Sequence, residues 1–124
     1  MVDVVVARIA DAPAGYHRVL VDRLWPRGVR KDQAPWDEWI QDVAPSAALR
    51  RWYGHEPDRY LDFRQRYEAE LRANAAHPGM LHLLELIRDR PVALLTATRN
   101  LEQSQVPILA GFVRQHLGGG QPVA

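Results

Sequence analysis

The sequence contains no cysteine and no long hydrophobic run. The missing cysteines exclude disulfides, a thiolate nucleophile and zinc or iron-sulfur sites built on cysteine. No stretch approaches the roughly 20 apolar residues of a membrane helix, and the start, Met1-Val2-Asp3-Val4, lacks the basic and apolar blocks of a secretory signal. We therefore expect a cytoplasmic protein that does not contact a membrane.

A strong net charge is also missing. The 16 basic and 15 acidic residues leave a formal charge of +1, so no global field attracts nucleic acid or an acidic membrane. Lys31 is the only lysine, and the other basic residues are arginines, whose planar guanidinium suits phosphate and carboxylate. Any anion-binding surface must therefore be local.

Motifs for metal, nucleotide and acyl chemistry are absent as well. The sequence has no HExxH, no Walker loop, no GxGxxG and no GxSxG, and its five histidines are not spaced as metal ligands. Ser46 and Ser104 have no base at motif spacing and are better explained as a helix cap and a helix residue, respectively. We expect neither a metal nor a cofactor.

What is present predicts an α/β fold. Valine-rich residues 2–9, residues 18–22 and the nearly continuous apolar residues 91–98 are typical of strands, and the last pattern suits a strand covered on both faces. Five helices are predicted at residues 36–43, 46–53, 57–74, 80–87 and 100–117, the last opened by an Asn100 capping box. The long helical excursion before the third strand favours parallel pairing.

These elements predict one layered domain over residues 1–117, with a small three-stranded, at least partly parallel sheet packed against about five helices. The glycine-rich residues 118–124 are predicted to be a disordered tail. In open sheets of this kind, ligands bind beyond the carboxyl ends of the strands. That rule selects the segments that follow the second and third strands.

The segment after the second strand, residues 22–28, combines acidic, basic and aromatic groups. Pro26 restricts the backbone and Gly28 permits a turn, so the side chains of Arg23 and Arg27 can be held in place. Both arginines are therefore candidates to bind an anion. Trp25 either stacks on a ligand or fills the core. Asp22 either orients an arginine, acts as a base, or pairs with an arginine to fix the loop.

The segment after the third strand offers a second set of anion donors. Thr98, Arg99 and Asn100 precede the predicted last helix, whose free N–H groups and positive dipole end favour a phosphate or carboxylate. The alternative is that Asn100 is a plain helix cap and Arg99 a surface residue.

Residues 50–55 form a third basic and aromatic segment. His55 is a candidate for proton transfer near neutral pH, or it only hydrogen-bonds the next turn. On the long helix that follows, Arg64 either points into the site or pairs with Glu68 one turn later.

The sequence resembles the YeaO-like bacterial proteins, a family known as domain of unknown function 488. The resemblance runs from Tyr16 to about Val113 and rests on residues 18–28, on Ala44-Pro45-Ser46, on Leu49-Arg50 with residues 52–55, and on Phe63-Arg64 with Tyr67. It implies a small cytoplasmic α/β protein with no established activity. The motif residues that it carries over are Asp22, Arg23, Trp25, Pro26, Arg27, Gly28, Trp52, Gly54, His55, Arg64 and Arg99.

One segment departs from the family pattern. After the basic residue at the end of the third strand the family commonly has Asp-Glu-Glu-His-Asn, whereas this chain has Asn-Leu-Glu-Gln-Ser at residues 100–104. If the acidic residue and histidine carry chemistry in relatives, this protein has lost that chemistry or does something narrower, and whether it is an enzyme stays open.

Three functions remain. The preferred one is a pocket that binds a small phosphate- or carboxylate-bearing ligand through Arg23, Arg27 and Arg99, with Asp22 and His55 as the proton-transfer candidates if it is catalytic. The second is nucleic-acid binding by loop arginines and stacked tryptophans. The third is a protein-interaction module without catalysis. The oligomeric state stays open.

Overall fold

A computed structural model describes residues 2–119 and contains one four-stranded sheet, in which every strand pair is parallel. The strands lie in the order β1-β4-β2-β3. Their bounds are β1 (Val4–Arg8), β2 (His17–Leu20), β3 (Glu38–Trp39) and β4 (Val92–Thr96). The parallel α/β architecture predicted from the sequence is confirmed, but the strand count of three is wrong.

Four α-helices and several 3₁₀ turns complete the fold. The α-helices are α1 (Ala47–Tyr53), α2 (Tyr60–Ala73), α3 (Pro78–Asp89) and α4 (Val106–Arg114), and the chain continues from α4 in a π turn over Gln115–Gly119. Residues 120–124, most of the predicted tail, lie outside the described residues. Every helix within residues 2–119 is too short or too polar to serve as a transmembrane span.

The helix predicted at residues 36–43 is the main error in the fold. Instead, Glu38–Trp39 form the edge strand β3, and Gln41–Val43 form a 3₁₀ turn. The helical spacing was misleading because these side chains face opposite sides of the sheet. Trp36 and Trp39 join one core cluster, and Ile40 and Val43 join the other.

The sheet thus separates two cores of different kinds. On one face, apolar side chains of all four helices pack on Val19, Val92 and Leu94. On the other face, where Leu20, Ala93 and Leu95 point, the cover is made mainly by loop residues, including Trp25 and Trp36, together with Trp39 of β3. Because β4 has core on both sides, all five of its residues are buried, as its continuous apolar sequence predicted.

The last helix starts later than the sequence predicts. Residues Leu101–Gln103 form a separate 3₁₀ turn, and α4 begins at Val106. The Asn100 side chain does not cap a helix but donates to Gln103 Oε1 at 3.4 Å, and Ser104 Oγ accepts the hydrogen bond from Val106 N instead. The proposed capping box is therefore wrong, and the first turn of α4 is not next to Arg99.

Candidate functional site

A small pocket lies at the carboxyl ends of β2 and β4. We call it the strand-end pocket. It encloses about 200 Å³ and is closed by α1, α2 and the start of α4. Its polar lining residues are Asp22, Arg23, Arg50, Tyr53, His55, Thr98, Ser104 and Gln105, and the rest of its wall is formed by Leu24, Trp25, Pro26, Pro45, Phe63 and Ala97.

Asp22 connects three elements at the inner end of this pocket. Its Oδ1 accepts hydrogen bonds from Thr96 Oγ1 at 2.6 Å and Gln105 Nε2 at 2.8 Å, and its Oδ2 accepts one from Ala97 N at 2.8 Å. Thr96 Oγ1 itself accepts from Thr98 N at 3.1 Å, so the hydroxyl hydrogen is the one directed at the carboxylate. The strand-end rule thus placed Asp22 and Thr98 together correctly, because the two strands are parallel neighbours.

Arg23 is held by backbone carbonyls. Its Nε donates to Pro45 O at 2.7 Å and its Nη2 donates to Ala44 O at 3.2 Å. The carbonyls are themselves positioned, because the next residue, Ser46, caps α1 and donates to Glu70 on α2. Arg23 therefore contributes a fixed positive charge to the pocket wall.

Two exposed basic side chains, a guanidinium and an imidazole, lie at the mouth of the pocket. Arg50 extends from α1, and His55 follows the end of that helix. Gly54 and His55 both have left-handed backbone conformations, with φ of 52° and 58°. Neither Arg50 nor His55 forms an ion pair with any residue in the described part of the chain.

Trp25 combines a core role with a pocket role. Its ring packs edge-on against Trp36 and Trp39 at centroid distances of 4.9 and 5.6 Å, and its Nε1 donates to Val29 O at 2.7 Å. The half-buried ring also lines the strand-end pocket. It therefore offers the pocket a fixed apolar surface.

Several predicted site residues lie elsewhere. Arg27, Arg99 and Asn100 are exposed and do not line the strand-end pocket. Of the predicted trio Arg23, Arg27 and Arg99, only Arg23 lines this pocket, because Arg99 was placed by a helix start that does not exist there. Arg64 is directed away from the pocket and contacts Glu68 at 3.4 Å, the alternative that the sequence left open.

Arg64 instead borders a larger, more open groove of about 640 Å³ between α2 and α4. The groove also includes Arg72, Phe112 and His116. Despite its size, we assign the candidate site to the strand-end pocket, since that pocket lies where parallel strands end and joins fixed polar groups to an apolar wall.

The sequence analysis missed a cluster at the opposite end of β2. His17 Nε2 donates to Glu38 Oε2 at 2.5 Å, and His82 Nε2 donates to Glu38 Oε1 at 2.7 Å. Burial alone would raise the pKa of Glu38. The hydrogen bonds that the two histidines donate, together with their charges, outweigh burial and hold the Glu38 pKa below its usual range. No set of His, Asp and Glu side chains within residues 2–119 is arranged to hold a metal ion.

Comparison with known proteins gives the chain a family. The family model described as "Inactive DUF488-N3 subclade" matches residues 3–121, which is nearly the whole sequence. The chain belongs to this subclade. The resemblance to YeaO-like proteins noted from the sequence is therefore confirmed.

Similar proteins occur in several bacteria. The chain is 43% identical to Uncharacterized protein Rv3073c of Mycobacterium tuberculosis over 107 residues, which are 85% of this chain and 88% of that protein. Uncharacterized protein Mb3100c of Mycobacterium bovis matches to the same extent. Uncharacterized protein YeaO of Escherichia coli is 38% identical over 105 residues, 85% of this chain and 89% of that protein. No solved structure matches the chain.

Proposed function

We propose that the strand-end pocket binds a small ligand through an anionic group of the phosphate or carboxylate class, and that Arg50 and His55 hold that group. One observation carries the proposal. Two basic side chains, the Arg50 guanidinium and the His55 imidazole, stand without an acidic partner in residues 2–119 at the mouth of a pocket whose wall is largely apolar. Such a wall with a few polar groups is typical of ligand sites.

Within residues 2–119 Arg50 lacks an acidic partner, as its neighbour Arg51 and several other arginines do, but Arg50 also lines the strand-end pocket. Exposed arginines commonly pair with a nearby carboxylate, and such pairs occur here between Arg8 and Asp11, Arg18 and Asp37, Arg30 and Asp32, Arg64 and Glu68, and Arg90 and Asp89. A guanidinium without such a partner keeps its donors for a ligand.

We assign binding rather than catalysis to Asp22 and His55. The Asp22 carboxylate already accepts three hydrogen bonds that join β2, β4 and the start of α4. The family model that matches the chain is described with the word "Inactive". These facts support a pocket that holds its ligand without transforming it.

The tryptophans favour a small ligand over nucleic acid. Stacking on bases needs an open aromatic face. The Trp25 ring packs on Trp36 and Trp39, and the Trp52 ring is covered by the Arg66 guanidinium at 4.3 Å. We therefore do not retain nucleic-acid binding as a second candidate.

The proposal is tested by titrating the protein with inorganic phosphate, glycerol 3-phosphate and 3-phenylpropionate in isothermal calorimetry. Arg50→Gln removes the charge at the mouth, and we expect it to weaken binding of the best probe about tenfold or more, because a hydrogen bond to a charged group contributes about 1.5–3 kcal/mol. Arg51→Gln is the matched control, since Arg51 is the next residue of α1, is exposed and does not line the pocket.

We expect Arg51→Gln and Arg99→Ala to bind as the wild type does. Saturable binding that Arg50→Gln leaves unchanged, or that Arg51→Gln or Arg99→Ala abolishes, would contradict the proposed site. Failure of all three probes to bind would contradict the proposed function.

A further inference from the structure

The strand-end pocket contains a negative group as well as positive ones. The Asp22 carboxylate lines the pocket, yet it forms no ion pair within the described range 2–119. Its three hydrogen-bond partners are the neutral groups of Thr96, Ala97 and Gln105. Its negative charge is therefore solvated by dipoles and makes no direct ion pair, because the neighbouring Arg23 donates to the Pro45 and Ala44 carbonyls instead.

Asp22 also retains capacity to accept a hydrogen bond. Each carboxylate oxygen can accept about two. Oδ1 already accepts from Thr96 and Gln105, whereas Oδ2 accepts only from Ala97 N. A ligand donor that reaches Oδ2 would complete its coordination without displacing the bonds that connect the strand ends.

The charges lie at different depths of the pocket. Asp22 is half-buried at the strand ends, whereas Arg50 and His55 are exposed at the mouth. Apolar side chains, among them Trp25 and Phe63, form the wall. A simple anion that fills the pocket is attracted at the mouth but brings its charge towards the Asp22 carboxylate, which opposes binding.

We infer that the ligand is a small zwitterion, with an ammonium or similar cationic N–H group directed at Asp22, an anionic group directed at Arg50 and His55, and an apolar body between them. Amino acids with an apolar side chain belong to this class. The inference rests on the proposed function and adds the cationic group to it.

The volume agrees with a ligand of this size. About 200 Å³ corresponds to roughly seven water molecules at ~30 Å³ each. It is smaller than the roughly 300–1,000 Å³ of pockets that hold drug-sized molecules. A single amino acid is therefore of a size to lie inside the pocket.

Three probes that share a phenyl ring test the inference on the wild-type protein. L-phenylalanine has both charges, 3-phenylpropionate has only the carboxylate, and phenethylamine has only the ammonium. Calorimetry at pH 7 and low salt should give a Kd for L-phenylalanine at least tenfold below those of the other two. Equal or weaker binding of L-phenylalanine would overturn the inference.

The outcome also separates the two proposals. If 3-phenylpropionate binds and L-phenylalanine does not bind more tightly, the anion site stands and the zwitterion is wrong. If no anionic probe binds, the proposed function itself fails.

Two variants assign the charges to residues. Asp22→Asn should reduce the tenfold preference for L-phenylalanine over 3-phenylpropionate to about one, and Arg50→Gln should weaken both of these probes while leaving phenethylamine unchanged. If Asp22→Asn does not fold, the wild-type preference and the Arg50→Gln pattern remain decisive, because neither needs that variant. An Arg50→Gln protein that loses phenethylamine as well would contradict the charge assignment.

Discussion

At the scale of single residues, the mouth of the strand-end pocket is built at a conformational cost. His55 has a φ of 58° and is the only residue other than glycine with a positive φ within residues 2–119. A left-handed conformation costs an ordinary L-residue about 1–2 kcal/mol. His55 follows Gly54, which ends α1 and is also left-handed, with a φ of 52°. Strain of this kind is concentrated at functional sites, and here it keeps the imidazole at the pocket mouth.

Replacing His55 with glycine should separate stability from binding. Glycine adopts the left-handed region without strain but loses more backbone entropy on folding, so we expect His55→Gly to raise the free energy of unfolding by up to about 1 kcal/mol. The same variant should weaken binding of 3-phenylpropionate. Urea unfolding and calorimetry check the two effects, with Gly54→Ala as the converse control that should destabilise. A destabilised His55→Gly protein would show that the imidazole is needed for packing instead.

Some residues of the strand-end pocket could be predicted from the sequence, and others could not. Asp22 and Thr98 were found because each follows a parallel strand, and His55 because histidine suits proton transfer. Arg50 was passed over as a candidate, since nothing in the local pattern distinguishes it from Arg51. Its position in the pocket depends on where α1 packs, which is a property of the tertiary structure.

At the scale of elements, the edge strand β3 depends on its partners across the chain. It has only two residues, and the bonds that place it run from Asp37 N to Arg18 O and from Ile40 N to Leu20 O. Glu38 then connects β3 to β2 through His17 and to α3 through His82. So short a strand leaves no periodic pattern in the sequence. The spacing of Trp36 and Trp39 favoured a helix for that reason.

The Glu38 connection predicts a pH dependence of stability. Because its pKa in the folded protein lies below the usual value of 4.5, Glu38 stabilises the fold above that pH, and its contribution is lost as the pH falls through the lowered pKa. We expect Glu38→Gln to be less stable than the wild type at pH 7 and the difference to shrink below about pH 4.

Urea unfolding at pH 7, 5 and 3 measures this difference. Glu85→Gln on the exposed face of α3 is the matched control and should track the wild type at every pH. A Glu38→Gln deficit that stays constant down to pH 3 would contradict a role for the carboxylate charge.

At the scale of the whole molecule, the arrangement of the sheet determines where a ligand can bind. Most of the apolar helical surface covers one face, and tryptophan-bearing loops cover the other, so the open positions lie at the strand ends. The fold class and parallel pairing were predictable, because valine-rich runs indicate strands and a continuous apolar run indicates a strand buried on both faces. The fourth strand and the late start of α4 were not, since each is decided by long-range hydrogen bonds or by competition between Asn100 and Ser104 for the helix start.

The most direct test of the account is to map a bound probe on the protein. The ¹⁵N-labelled protein is titrated with 3-phenylpropionate, and amide chemical-shift changes are followed by NMR. We predict saturable changes concentrated at His55, Thr98 and Ser104, which line the strand-end pocket. Changes concentrated instead at Arg64, Gly111 and Phe112, in the groove between α2 and α4, or no saturable change at all, would contradict it.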